Sequence, residues 1–413
     1  MTTNEKSVTK KNQGTTAIRK DREAAAIKQG SVRPLLMLVL IAVIIVVTIV
    51  MLFRQNVSSI PSLKDLTAQI TNSQGGAGKG TGAEGENAAL TIEPLRTIYY
   101  DSGEESEFCL YRNYLVECSK DTLSLFGKNG EEAFRKNIEF QKPMLKKAGN
   151  YLLVADVGGR TAFVIEDKNV RWEERFNNNI TNISINAGGY IAVVLETVGY
   201  RSTVRVMAPI GRKLFDWVVA DDYVVSTEIS PSESGMVINR IKTNGISVRS
   251  VLEFLDLKSE PFAAIESAEG NIFLKTQYLE DGTLATATED EFIFYSENRE
   301  VMVQEGFDAI YAMTEFPKRK ITLAAQRGGR SFLMEYQRDG KSNVIFESEL
   351  PIVNMTAENG LLIVNLGSRV LVMKENGKIA LDLFFSSEVL YGSISGKSEV
   401  LIVTKQSAEI YAV

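Results

Sequence analysis

The feature that most constrains this chain is a turn that returns at a nearly constant pitch. A G-x-R turn occurs at Gly158–Arg160, Gly199–Arg201 and Gly328–Arg330, and as G-S-R at Gly367–Arg369. The arginines are separated by 41, 129 and 39 residues, and 129 is three steps of 43. Stepping along at that pitch finds the missing members: Lys120–Asp121, Asn244–Gly245, Glu289–Asp290 and Ser407. Each turn sits between short apolar runs such as "YLLVADV" and "TAFVIED", rich in the Val, Ile, Tyr and Phe of strands. From about residue 91 onward no helical period lasts ten residues.

Each unit reads as a short strand, a strong strand, the turn, a second strong strand and a weaker one such as "VRWEERF". Four strands in about 40 residues make a β-propeller blade. Tandem sandwiches would not hold one pitch for so long, and solenoid coils are shorter. The last unit has strands near 387–394, 398–404 and 408–413 and stops one strand short, while "LRTIYY" at 95–100 has no partner in the first unit. Added to the last blade, that strand closes the ring and leaves no long sheet edge. The expected fold is all-β, an eight-bladed propeller, with seven blades as the alternative if the weakest unit, 223–256, is irregular.

A membrane helix is expected ahead of the ring. "LLMLVLIAVIIVVTIVMLF" at 35–53 has no charge and one polar residue, Thr48. Such a run rises about 28 Å as a helix and matches a bilayer core. The residues before it hold eight Lys and Arg against three Asp and Glu, a net +5. The positive-inside bias puts this tail in the cytoplasm and the remainder outside. No small-residue cleavage site follows, so an uncleaved anchor is favoured over a signal peptide. The expected organisation is a basic tail (1–33), a transmembrane helix (34–54), a flexible stalk (55–90) and an extracytoplasmic propeller (91–413). Within the stalk, "GAGKGT" fails the phosphate-loop spacing, because Ser73 stands where the first glycine belongs.

The chain contains no histidine. That excludes Ser-His-Asp and Cys-His catalysis and histidine-held zinc. The two cysteines, Cys109 and Cys118, flank a tight turn in "EFCLYRNYLVECS" and make a candidate disulfide, or else two small core residues. Removing the 11 Lys+Arg and 7 Asp+Glu of residues 1–94 from totals of 46 and 52 leaves 35 against 45, a net −10. Nucleic acid is therefore not an expected partner. Acidic clusters at 101–107, Asp221–Asp222 and 278–291 fall in turns and read as solvated groups, with a carboxylate pair as the catalytic alternative. No catalytic set, cofactor or metal site is expected.

The repeated arginines Arg160, Arg201, Arg330 and Arg369 fall on one rim of such a ring. They are candidate carboxylate ligands, or else partners of acids in adjacent blades. Trp172 and Trp217 lie in fourth strands of neighbouring units and are expected to pack between blades. The layout resembles an uncharacterised bacterial family with one N-terminal membrane helix, a stalk and an outer propeller with "llv.d.gGr…v" hairpins, and more loosely WD40-like and quinoprotein-like propellers. The resemblance covers about residues 30–413 and implies a fold but no activity. The expected role is a membrane-anchored scaffold in the cell envelope, binding a protein or an envelope ligand without catalysis. The alternatives are a carboxylate-dependent glycan hydrolase or lyase and a sensor signalling through the tail.

Overall fold

A computed structural model describes residues 92–100, 106–243, 247–296 and 299–413. The expected tail, transmembrane helix and stalk lie outside the described residues. Among the described residues no helix is long and apolar enough to cross a membrane.

The described chain forms eight four-stranded antiparallel sheets, each built from consecutive strands except the last. Blades 1 to 7 span 107–137, 143–175, 180–219, 223–266, 275–304, 309–348 and 354–384. Blade 8 takes three strands from 389–412 and its outermost strand, Arg96–Tyr99, from the other end of the ring. That strand pairs antiparallel with Ser407–Ala412, with Tyr99 opposite Ser407. The seven-bladed alternative fails because the unit read as weakest completes a blade with a fourth strand, Pro261–Glu266.

The strong middle strands read as continuous apolar runs because both faces of every blade are covered. Alternation along one strand divides its residues between two cores. Leu152 and Val154 pack toward blade 1 with Leu123 and Leu125. Leu153 and Ala155 pack toward blade 3 with Ile183 and Val193. Similar clusters join each successive pair of blades, and a last one, with Phe108, Leu110, Leu401 and Val403, joins blade 8 to blade 1. The ring is thus closed by packing as well as by pairing. Truncating a residue such as Leu153, which is fully buried, costs about 2–5 kcal/mol.

The recurring turn joins the second and third strands of every blade. Glycine serves where the backbone turns left-handed, as at Gly158 (φ 86°) and Gly367 (φ 92°). Other blades reach the same corner by a side-chain cap. Thr288 Oγ1 accepts from the Glu291 amide at 3.0 Å, and Thr404 Oγ1 accepts from the Ser407 amide at 3.0 Å. Antiparallel order sorts all connections onto two faces. The second-to-third turns share one face with the links that run from one blade to the next; this is the link face. The first-to-second and third-to-fourth turns share the opposite hairpin face. The chain joins the ring at Arg96 on the hairpin face.

Both tryptophans pack between blades. Trp172 lies against Gly211 of blade 3, where a Cβ would fall 1.6 Å from its ring, so only glycine fits. Trp217 joins the core between blades 3 and 4, and its Nε1 donates to Glu253 at 3.3 Å.

Candidate functional site

The four repeated arginines do sit at link-face turns, but their partners differ from expectation. Arg160 Nε donates to Asn179 Oδ1 at 3.2 Å, and Arg201 donates to the Tyr223 hydroxyl while lying 4.8 Å over that ring. These are neutral groups, one in the link to blade 3 and one at the start of blade 4. Arg330 and Arg369 meet acids of their own blades, Glu347 at 3.8 Å and Asp382 at 2.7 and 2.8 Å. Pairing with acids across blades is thus corrected: the outer strand of the same blade lies nearer to the turn. Cys109 and Cys118 are both free and buried. The register sets Cys109 opposite Val116 and Cys118 opposite Glu107, so the thiols are diagonal neighbours two positions out of register. Burial pushes the Cys109 thiol up to about 12, and the Cys118 thiol rises for the same reason.

The larger cavities open on the other face. One of about 510 Å3 is bounded by the turns of blades 1, 2, 7 and 8, and one of about 910 Å3 by those of blades 5 to 8. Glu358 and Asn359 line both. The wall between them is held by Lys147, whose Nζ donates to the Leu110 and Ile394 carbonyls at 3.0 and 2.6 Å and pairs with Glu358. One ammonium therefore ties blades 1, 2, 7 and 8. In the larger basin Glu315 accepts from the amides of Arg319 and Glu280 at 2.7 and 3.0 Å. Burial lifts its carboxyl above the usual range, against those two donors and with help from the charges of Glu280 and Asp281. The Glu280 carboxylate is itself paired with Lys318 at 3.1 Å.

Inner strands line the channel and are stitched by side chains. Tyr391 Oη accepts from the Phe108 amide at 2.7 Å, Ser393 Oγ from the Leu110 amide at 3.0 Å, and Ser184 and Thr227 share a hydrogen bond of 2.8 Å. Burial raises the Glu107 carboxyl, while the Tyr391 hydroxyl, Lys142 and Lys146 pull it down. Burial also pushes Glu228 up to about 7, with Lys146 opposing, and the Glu228 charge helps to raise Tyr278. Lys146 is thus the charge felt by both channel carboxyls. None of these channel groups carries a sequence motif.

The two faces differ in what they expose. Among the described connecting segments, large exposed apolar side chains gather on the link face: Val198, Tyr200, Val248, Leu274, Leu350 and Val353. On the hairpin face the exposed apolar positions in described connecting segments include Ile210 in a turn and Leu95 where the chain enters blade 8. Charge divides too. Described link-face segments are predominantly acidic, with Glu196, Asp221, Glu269, Glu289, Asp290 and Glu305 among them, whereas hairpin-face turns mix cations such as Arg112, Lys128, Lys318 and Lys397 with acids such as Glu131, Glu233, Glu280 and Asp281. Glu291 shows the crowding: burial raises its carboxyl first, and the charges of Asp290, Glu305 and Glu300 raise it further.

The model for a family of unknown function, DUF5711, matches residues 91–412, which is the whole ring. The chain belongs to that family. No curated protein matches it by sequence. Three solved structures are similar in fold. The computationally designed Ika8 protein has a TM-score of 0.59 and 11% identity, with 78% of this chain and 98% of that one covered. Sqt1 from Chaetomium thermophilum has 0.56 and 10%, with 78% and 100% covered. BamB from Moraxella catarrhalis has 0.53 and 10%, again with 78% and 100% covered. At these identities the likeness to solved structures establishes a β-propeller and nothing finer. For DUF5711, then, functional inference rests on the two faces and the channel of this ring.

Proposed function

We propose that this DUF5711 chain is a membrane-anchored, extracytoplasmic scaffold that holds a partner on its link face without catalysis. The observation that carries the reading is the exposed apolar surface there, with Val198 97% exposed at a turn tip and Tyr200 52% exposed beside it. Contiguous apolar surface left facing solvent is a mark of an interaction site. The propeller fold commonly serves such binding roles, and the apolar run at 35–53 with its basic flank supports the anchor.

The test uses the full chain, crosslinked mildly in its own membranes and then solubilised. A complex larger than the monomer is expected. It is lost when Val198→Asp and Tyr200→Asp are combined, and kept with Ile210→Asp. A monomer in all three preparations would overturn the scaffold reading. Placement is read separately. The chain's two cysteines are buried, so Ile210→Cys, at a position 73% exposed and on the face away from the partner, reports alone. It is expected to react with a membrane-impermeant maleimide in intact cells, and labelling only after lysis would refute the extracytoplasmic placement.

A second reading, a carboxylate-dependent envelope hydrolase or lyase, is favoured by one feature: the raised carboxyl of Glu315 next to Glu280 in the large basin. It predicts release of sugars from wall material that Glu315→Gln abolishes.

A further inference from the structure

We propose that the link face over blades 3 and 4 docks a protein segment in which apolar side chains adjoin a lysine or arginine, the cation seating beside Asp221. This rests on the scaffold reading and names its partner's chemistry.

The apolar half of the surface comes from the turn at 196–201 and its neighbour. Val198 and Tyr200 project from the turn, and Tyr223 at the start of blade 4 lies beneath Arg201. Arg201 is therefore engaged with an aromatic ring and its hydroxyl, and is not offered to an incoming carboxylate. Val218 at the end of blade 3 is 48% exposed and continues the surface toward a groove.

That groove supplies the charged half. It is a cavity of about 300 Å3 whose lining includes Trp217, Val218, Asp221, Asp222, Arg240 and Glu253. Its acids outnumber its cations. Arg240 pairs with Asp222 and lies 3.2 Å from Glu253, so one guanidinium serves two carboxylates. The other cation there, Lys242, is paired with Glu266. Asp221 is exposed and has no cation within ion-pair distance among the described residues. Glu196, on the neighbouring turn, is in the same position. A guest ammonium or guanidinium completes this arrangement, and a guest carboxylate is repelled by it.

The same features weigh against two other occupants. An anionic lipid surface would meet Glu196 and Asp221. A second copy could offer the cations of its hairpin face, but they stand among acids such as Glu131, Glu280 and Asp281 that Glu196 and Asp221 would also meet. Exposed apolar groups there, such as Ile210 and Leu95, lie apart on blades 3 and 8, so no single patch faces Val198, Tyr200 and Tyr223. A second copy's link face would bring acid against acid.

The test places a photoactivatable residue at Tyr200 of the full chain in its native host, with Ile210 as the matched position on the other face, and maps the adduct peptide. The expected result is an adduct at Tyr200 alone, on another protein, in a segment with apolar residues next to Lys or Arg. Asp221→Lys is expected to lower its yield at least tenfold, and raised salt to lower it too. Adducts on this chain itself, on lipid, or on an acidic or uncharged segment would overturn the proposal, as would no adduct or a yield indifferent to Asp221→Lys. If the complex still depends on Val198 and Tyr200 but ignores Asp221→Lys, the scaffold stands and the partner chemistry falls. If Val198→Asp with Tyr200→Asp leaves the complex intact, the scaffold reading itself has failed.

Discussion

The two faces of this ring are made from the same strands, yet their charged groups do different work. On the hairpin face several turns are tight two-residue connections with left-handed residues, among them Arg112 (φ 55°), Gly149 (φ 54°) and Asn359 (φ 53°). Such turns hold the backbone low and bring side chains of neighbouring blades into reach. Lys147, Glu358 and the Arg112–Asp167 pair follow from that geometry. The link face must carry the chain from an outer strand to the next inner one. Some link-face segments are long, as at 196–201 and 267–274, and side chains such as Val198 and Glu196 face solvent there. Link-face arginines are engaged too, but Glu196 and Asp221 there have no cation within ion-pair distance among the described residues.

The strongest way to break this comparison is to remove Lys147. Lys147→Met takes a charge-assisted donor from two carbonyls and leaves Glu358 unpaired, all at the junction of four blades. The expected cost is about 2–4 kcal/mol, read as a lowered urea midpoint of the full chain in detergent. A loss below about 0.5 kcal/mol would mean that packing alone closes the ring, and that the hairpin-face charges are as idle as those opposite.

The channel between the faces gives the next effect. Glu228 has its folded pKa raised from 4.5 to about 7. The folded state therefore binds this proton more tightly than the unfolded chain does. Its contribution to stability is full below about pH 4.5, falls as pH rises toward 7, and is flat above that. Glu228→Gln removes the loss, so the variant should gain about 1–3 kcal/mol over wild type at pH 8 and nothing at pH 4. Equal differences at both pH values would show that Glu228 is solvated and that the channel is wet.

The sequence made the ring legible and hid most of the site, for reasons visible in particular residues. Blade number and closure could be read because glycines and short polar caps must recur wherever a hairpin turns, and because the strand at 96–99 had no other partner. In the unit 223–256, read as the weakest, Ser226 and Glu228 interrupt the first strand. Those polar residues sit on the inner strand, which bulges between Val224 and Ser226 yet still pairs along its length with its neighbour. The four arginines share one face because equivalent turns do, but partner identity depends on which strands border each turn, which a linear pattern does not carry. Lys146, Lys147, Tyr278 and Tyr391 gave no signal at all. They meet only when inner strands from distant units converge, and nothing local in their neighbourhoods differs from an ordinary strand.

Smaller effects should come from the link face. Glu291 is crowded by Asp290, Glu305 and Glu300 as well as partly desolvated, so Glu291→Gln should stabilise the ring by a few tenths of a kcal/mol above pH 6. The gain should shrink in high salt, where like charges are screened. A destabilised variant would show that Glu291 has a partner across the turn.

Arg330→Ala is the smallest and the most discriminating. Its guanidinium is 62% exposed and 3.8 Å from an equally open Glu347, a separation at which surface pairs contribute about 0–1 kcal/mol. Truncation should leave the urea midpoint within error, in contrast to Lys147→Met. Arg369 provides the internal control. It makes two hydrogen bonds to Asp382 and lies 5.2 Å over Phe384, so the same truncation there should cost more than at Arg330. If Arg330→Ala costs as much as Arg369→Ala, the repeated arginine serves the turn backbone itself, and the link-face charges are structural after all. If Arg330→Ala is silent for stability yet weakens the crosslinked complex, the binding surface extends beyond blades 3 and 4 around the rim to blade 6.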